Sequence, residues 1–348
     1  MKKNILVVDD SALMRRVICD IINADSNFEV TDICRDGLEA YELLKEKTYD
    51  GVLLDVNMPH MDGLQLLEKL QKDNIKATVI MVSTLTTDGA EETIIAMERG
   101  AVDFVLKPTN IIEAKGEQFK NRIIAVLTAV IESKHYKPKI PVRSPIPPKK
   151  HAGAYKDKLI ALACSTGGPK ALQSVLPYLN PRMDAPMVLV QHMPAGFTKS
   201  MAERLDSMSP VPIKEAEDGD VLEKGHVYIA PGGRHLKVAQ MSDGRRKIVL
   251  DDSPAVGGLK PCANIMYESL MTSTCDEIVC VVLTGMGADG TEGIRMLHAK
   301  HTLHVIAQNA DTCVVYGMPR AVAEAGLVDE VVPLDQVASS ILKNVGVK

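Results

Sequence analysis

Two sets of residues in this 348-residue chain have the types and spacing to do chemistry. The first is acidic. Asp9 and Asp10 close the apolar run NILVV, Asp55 closes GVLLD, Ser83 closes ATVIMVS, and Lys107 follows VDFVL. Taken singly, an aspartate after an apolar run is an ordinary helix cap. Brought to one edge of a parallel sheet, three carboxylates repel one another and call for a cation, and an all-oxygen ligand set selects a hard ion such as Mg²⁺. A carboxylate beside Mg²⁺, with an ammonium and a hydroxyl nearby, can attack a phosphoryl donor while the charge on the phosphoryl oxygens is neutralised.

The second set is a candidate nucleophile with a base and an acid. In KLIALACSTGGPKAL, the segment Cys164-Ser165-Thr166-Gly167-Gly168 lies where an apolar strand gives way to a helix opening near Pro169, a favoured first-turn residue. A hydroxyl on such a turn is held up beside helix-start N–H groups able to stabilise an oxyanion. The G-x-S-x-G pattern is not matched, because Ala163 stands at its first glycine. His192 closes PMVLVQH and reaches the same sheet edge one strand away, where it can act as general base for Ser165. Cys164 offers a thiol alternative, but neighbours on a strand point to opposite faces, so one of the two faces His192, and Ser165 is favoured.

After EIVCVVL comes Thr284-Gly285-Met286-Gly287-Ala288-Asp289-Gly290, which contains G-x-G-x-x-G, with Asp311 about 20 residues further on. The format is that of a dinucleotide fingerprint. Charge argues against it, since Asp289 would occupy the helix start where a pyrophosphate must sit. As a partner of His192 the same carboxylate fixes the imidazole tautomer and stabilises imidazolium, completing a Ser-His-Asp set with the Met286 amide aimed at the oxyanion.

Strands and helices must alternate to place these groups, and they do. Residues 1–133 contain five βα units, while in 154–348 the near-continuous apolar runs KLIALAC, PMVLVQ, EIVCVVL and LHVIAQ suit parallel strands covered on both faces. LKVAQ and RKIVL flank Asp243-Gly244 and predict an antiparallel hairpin beside that sheet. Between the two α/β segments, 134–153 is expected to be a linker. Its stretch KHYKPKIPVRSPIPPKK holds six Lys/Arg, five prolines and no acid, a composition that favours extended polyproline conformations. The net charge is −8 over 1–133, +6 over 134–150 and −3 thereafter. An acidic balance, no Trp and four Phe argue against a nucleic-acid partner. Seven scattered cysteines without a C-x-x-C pair suit reduced thiols and a cytoplasmic setting. No run reaches the length of a membrane span, and the apolar stretch after Met1-Lys2-Lys3 is too short for a signal sequence.

Residues 1 to about 125 closely resemble the receiver domain of two-component response regulators. The resemblance implies a flavodoxin-like (βα)5 fold, Asp55 as phospho-acceptor, and Asp9, Asp10, Asp55 and the Asn57 carbonyl as Mg²⁺ ligands. It further makes Ser83 and Lys107 the phosphate-sensing pair and Phe104 the switch aromatic. The blocks CSTGGP, QHMP, YIAPGGRHL and LTGMGADG resemble the catalytic domain of chemotaxis receptor methylesterases, a doubly wound, mostly parallel α/β domain placed after a receiver. Ser165 is then the nucleophile, His192 the base and Asp289 the orienting acid, with Thr166 and Met286 lining the site and no cofactor for ester hydrolysis. The implied activity is demethylation of glutamyl methyl esters, and deamidation of glutamines, on methyl-accepting chemoreceptors. A chemotaxis histidine kinase is the implied phosphodonor, and the chain is expected to be a monomer. The resemblance also implies that the unphosphorylated receiver covers the esterase cleft. A non-enzymatic response regulator whose second domain only binds a partner is the rival reading.

Overall fold

The computed structural model describes residues 2–133 and 157–347, and the chain divides into two compact units, Met1–His135 and Tyr136–Lys348. The expected linker at 134–153 lies outside the described residues.

In the first unit the order is β1 (Lys3–Val8), α1 (Ala12–Asn23), β2 (Phe28–Cys34), α2 (Gly37–Glu46), β3 (Gly51–Asp55) and α3 (Gly63–Lys72). There follow β4 (Val79–Ser83), α4 (Thr87–Glu98), β5 (Asp103–Leu106), the single turn α5 (Ile111–Ala114) and α6 (Glu117–Ser133). Helix starts are written into the sequence: Ser11, Asp36 and Asp62 accept from first-turn N–H groups, and Gln65 completes a capping box with Asp62. The five strands are parallel in the order β2-β1-β3-β4-β5, a flavodoxin-like order whose reversal point lies between β1 and β3. β3 and β4 are buried along their whole length, as helices on both faces require.

The second unit opens with β6 (Lys158–Cys164), α7 (Gly168–Gln173), β7 (Met187–Gln191), α8 (Phe197–Met208), β8 (Ile213–Glu215) and β9 (Val227–Ile229). The ribbon β10 (His235–Gln240) and β11 (Arg246–Asp251) precedes α9 (Ala263–Ser269) and β12 (Glu277–Val282). The unit closes with α10 (Thr291–His298), β13 (Leu303–Gln308), α11 (Met318–Glu324), β14 (Glu330–Val332) and α12 (Val337–Val345). Seven strands pair in parallel in the order β14-β13-β12-β6-β7-β9-β8. The hairpin forms as expected, but as its own two-stranded sheet. One face of the large sheet buries Ala161, Val188, Cys280 and Val305 with Tyr267 of α9 and Ile248 of the ribbon, so ribbon and α9 pack as a lid of core on that face. The chain leaves β6 toward β7 on one side and returns through β12 on the other. That places the reversal point between β6 and β12, where ligands of open α/β sheets bind.

Candidate active site

Strand register brings the nucleophile turn and the histidine together. Cys164 pairs with Gln191 at the ends of β6 and β7, and His192 N–H donates to the Cys164 carbonyl at 3.2 Å, so Ser165 and His192 emerge side by side. Gly167 follows in the left-handed region at φ 78°, where only glycine is at ease, and a Cβ there would stand 2.5 Å from Val314 Cβ. The turn is tied from below. Ser165 N–H donates to the Thr284 carbonyl at 3.0 Å, Gly168 N–H returns to the Ser165 carbonyl at 2.7 Å, and Thr284 Oγ1 donates to the carbonyl of buried Thr166 at 2.9 Å.

Cys164 has a partner of its own. Its thiol is fully buried and points to Gln191 Oε1 at 3.0 Å, and burial drives its pKa far above the ordinary thiol range. Ser165, by contrast, is partly exposed.

His192 Nε2 lies 2.7 Å from Asp289 Oδ2, and both side chains are nearly buried. Burial alone would raise the Asp289 carboxyl, but the His192 hydrogen bond and charge, then the N–H groups of Ala263 and Asn264, bring it down to about 2. Asp289 is therefore an ionised acceptor, and with Nε2 donating to it Nδ1 is the ring atom left as acceptor. Among the described residues no hydrogen bond yet links the Ser165 hydroxyl to His192, a looseness common before substrate binds. Met286 is exposed, and its backbone N–H meets no acceptor among the described residues, which leaves it available to an oxyanion.

Sequence reasoning passed over several residues that hold this arrangement. Gln191, buried at the end of β7, donates from Nε2 to the carbonyls of Ser165 at 3.0 Å and His192 at 3.2 Å. Gln308, buried at the end of β13, accepts from Thr284 N–H at 2.8 Å. Both close apolar runs, and that was the available signal, because a buried amide at a strand end must find partners. Cys262 and Asn264 carried no comparable mark.

In the first unit, Asp9 and Asp55 are buried and Asp10 is exposed, with one carboxylate oxygen from each lying within 4.8 Å of the others. Lys107 Nζ stands between Asp9 Oδ2 at 2.8 Å and Asp55 Oδ2 at 2.7 Å. Asp9 Oδ1 accepts from Ser11 N–H, while Oδ2 has no partner except that ammonium. Burial pushes Asp55 up to about 6, against the pull of Lys107 and with the help of Asp9. For Lys107, burial is outweighed by the Asp55 and Asp9 charges, which raise its pKa. Three carboxylates that each bring an oxygen to one point, with Asp55 held high among them, are a donor set that fits a hard divalent ion.

Ser83, Asn57 and Phe104 are the other expected members. Ser83 Oγ turns away toward α4, donating to the Gly89 carbonyl at 3.1 Å and accepting from Thr93 Oγ1 at 2.8 Å. Asn57 is exposed and its carboxamide donates to Glu92 Oε2 at 3.0 Å. Phe104 is buried in β5.

Comparison with known proteins draws on both units. The family model for the CheB methylesterase matches residues 160–341, and that for the response regulator receiver domain matches 5–115. The chain is 43% identical to a protein-glutamate methylesterase/protein-glutamine glutaminase of Geobacillus kaustophilus, over 98% of each chain. It is 40% identical to a protein of the same name from Pyrococcus horikoshii, over 99% of this chain and 94% of that one. Among solved structures, the Thermotoga maritima CheB methylesterase catalytic domain superposes with a TM-score of 0.52 at 39% identity, covering 54% of this chain and 99% of that chain.

Proposed function

Since this chain belongs to the CheB methylesterase family and carries a response regulator receiver domain ahead of the esterase, we propose that it is a phosphorylation-gated protein-glutamate methylesterase that also deamidates glutamines. Its substrates are methyl-accepting chemoreceptors, and a chemotaxis histidine kinase supplies the phosphoryl group. The observation that carries this reading is the convergence of Ser165, His192 and Asp289 at the carboxyl ends of β6, β7 and β12, with His192 committed to Asp289 at 2.7 Å.

His192 Nδ1 removes the Ser165 proton as Oγ attacks the γ-carbonyl of a glutamyl methyl ester. The oxyanion is met by the Met286 N–H, and the imidazolium is steadied by Asp289. The C–O bond to the methoxy group breaks, and methanol leaves with the proton from His192. Water, deprotonated by the same imidazole, then cleaves the acyl-enzyme to glutamate and free Ser165. With a glutamine side chain the leaving group is ammonia and the remaining steps are the same. Thr166, in the turn that Thr284 Oγ1 holds by its carbonyl, lines the site.

In the receiver, Asp55 is the phospho-acceptor. With a pKa of about 6 it is ionised and nucleophilic at neutral pH. Asp9, Asp10, Asp55 and the Asn57 carbonyl would hold Mg²⁺, which when bound neutralises charge on the phosphoryl oxygens. A phosphoryl group on Asp55 adds strong acceptor oxygens, to which Lys107 turns its ammonium and Ser83 its hydroxyl, leaving the Gly89 carbonyl at the start of α4. Phe104 follows as the switch aromatic.

The test is methanol release from methylated chemoreceptor by the full chain, with and without a small phosphodonor and Mg²⁺. Ser165→Ala is expected to lower the rate at least ~10³-fold while Asp55 still takes up phosphate, and Asp55→Asn is expected to abolish the response to phosphodonor. Most of the activity surviving in Ser165→Ala would overturn the assignment.

A further inference from the structure

Asp289 is gripped by a segment that no motif singled out. Its Oδ2, besides meeting His192, accepts from Ala263 N–H at 2.6 Å, and its Oδ1 accepts from Asn264 N–H at 3.0 Å and Cys262 Sγ at 3.2 Å. These groups form the start of α9, which has no side-chain cap of its own because Cys262 precedes it. The relation is mutual. α10 begins after Gly290, which has no side chain to offer, and the Asn264 carboxamide Oδ1 accepts from Gly290 N–H at 3.0 Å and Gly293 N–H at 2.8 Å. A Cβ on Gly293 would stand 2.9 Å from the Asn264 carbonyl and 2.7 Å from Tyr267 Cβ, so this approach of the two helices depends on glycine. Two helix starts are therefore capped by each other's side chains, the capping residues Asn264 and Asp289 being 25 apart in sequence.

We propose that Asn264 is a positioning residue for the esterase reaction: its backbone N–H and carboxamide lock the start of α9 to the start of α10, fixing the bearing of Asp289 on His192. The proposal rests on Ser165, His192 and Asp289 acting as a triad. Neutrality at position 264 is part of the device, because Gly290 N–H is shared between Asn264 Oδ1 and Asp289 Oδ1, each at 3.0 Å. An aspartate at 264 would set a second carboxylate oxygen on the N–H that Asp289 already uses, stabilising the imidazolium too well. The other titratable groups facing this point are Cys262, Tyr267 and, behind Cys262, His235. Burial and then Asp289 push the Cys262 thiol up to about 12, so it donates as S–H. The buried Tyr267 hydroxyl is spent on the Ala161 and Val281 carbonyls, and His235 Nδ1 accepts from Cys262 N–H.

The test is methanol release from methylated chemoreceptor by full-length Asn264→Ala and Asn264→Asp between pH 5.5 and 9, with Ser165→Ala and Asp289→Asn alongside. Asn264→Ala is expected to lose about tenfold or more in kcat with KM within about twofold, as for an interaction that matters in the transition state. Asn264→Asp keeps an acceptor for both the Gly290 and Gly293 N–H groups, so it should recover the rate at high pH while the acid limb of kcat/KM moves up by about one pH unit. A merely structural role would not move that limb. An inactive parent chain, or undiminished Ser165→Ala, would overturn the triad itself. If those controls behave but Asn264→Ala stays within twofold and the Asn264→Asp limb coincides with the parent's, the positioning role alone is refuted. The limb is read within one active, folded variant, so misfolding of Asn264→Ala would not shelter the proposal.

Discussion

Replacing Asp55 by asparagine should stabilise the receiver, although it removes an ion pair. Asp55 sits in a buried cluster with Asp9 and Lys107, and its pKa is raised from 3.8 to about 6. A carboxyl raised by about two pH units costs the native state roughly 2 to 3 kcal/mol whenever it is ionised. The sign follows from proton uptake. Between pH 6 and 3.8 the folded protein binds a proton that the unfolded chain does not, so the parent gains stability as pH falls through that window. Asparagine mimics the protonated acid at every pH. The advantage of Asp55→Asn should therefore be full above about pH 7, shrink through pH 6, and vanish below about pH 4. For a unit of this size each kcal/mol is worth roughly 3 to 4 °C, giving a rise of about 6 to 12 °C at pH 8. The assay is differential scanning calorimetry of the full chain in chelator, with the receiver transition identified as the one that added Mg²⁺ raises in the parent. An unchanged receiver transition at pH 8, or a gap that persists at pH 4, would refute the reading of Asp55 as a carboxylate held high by its surroundings.

Cys164→Ala should keep methanol release within a few-fold of the parent, because the thiol faces Gln191 and is locked in its neutral form; loss comparable to Ser165→Ala would make Cys164 the nucleophile. Gly285→Ala should impair both folding and turnover, since the new Cβ would stand 2.8 Å from Ser165 Cβ and press on Met318 Sδ. The backbone there cannot yield, being bonded to Val315, Gly317 and Met318, so a loss of about 1 to 3 kcal/mol in the esterase transition is expected, with kcat falling at least tenfold; a variant equal to the parent in both measurements would contradict it.

The acidic and the nucleophilic residues were legible because each closes an apolar run, and in a parallel sheet every such ending falls on the same edge. Periodicity found the long strands and the Asp243-Gly244 hairpin. It missed β8, β9 and β14, each three residues long, because so short an element carries no period to detect. Side-chain direction was also hidden. Ser83 was placed correctly at the end of β4, but nothing in its neighbours in sequence says that Thr93 and Gly89, one turn of helix away in space, hold its hydroxyl. The grip on Asp289 was invisible for the same reason, since Cys262 and Asn264 lie before β12 and Asp289 after it, 27 and 25 residues apart in sequence.

Asp55 and Asp289 show why the distinction matters. Both end or follow an apolar strand, and both are largely buried. Burial, with Asp9 adding to it, drives Asp55 up to about 6, whereas Asp289 meets His192 and the Ala263 and Asn264 N–H groups at the start of α9 and is drawn down to about 2 against its burial. A carboxylate held high is poised to give up its charge to a phosphoryl group or share it with a cation. One held low keeps its charge through every step and serves only to orient and stabilise its imidazole. The partners decide between these charges. In the proposed triad, loss of the α9 N–H donors would raise the Asp289 carboxyl and weaken its hold on the His192 proton. On the proposed roles, the chemistry of each unit depends less on the aspartate itself than on what surrounds it: burial beside a second acid for Asp55, and His192 with two N–H groups of a distant segment for Asp289.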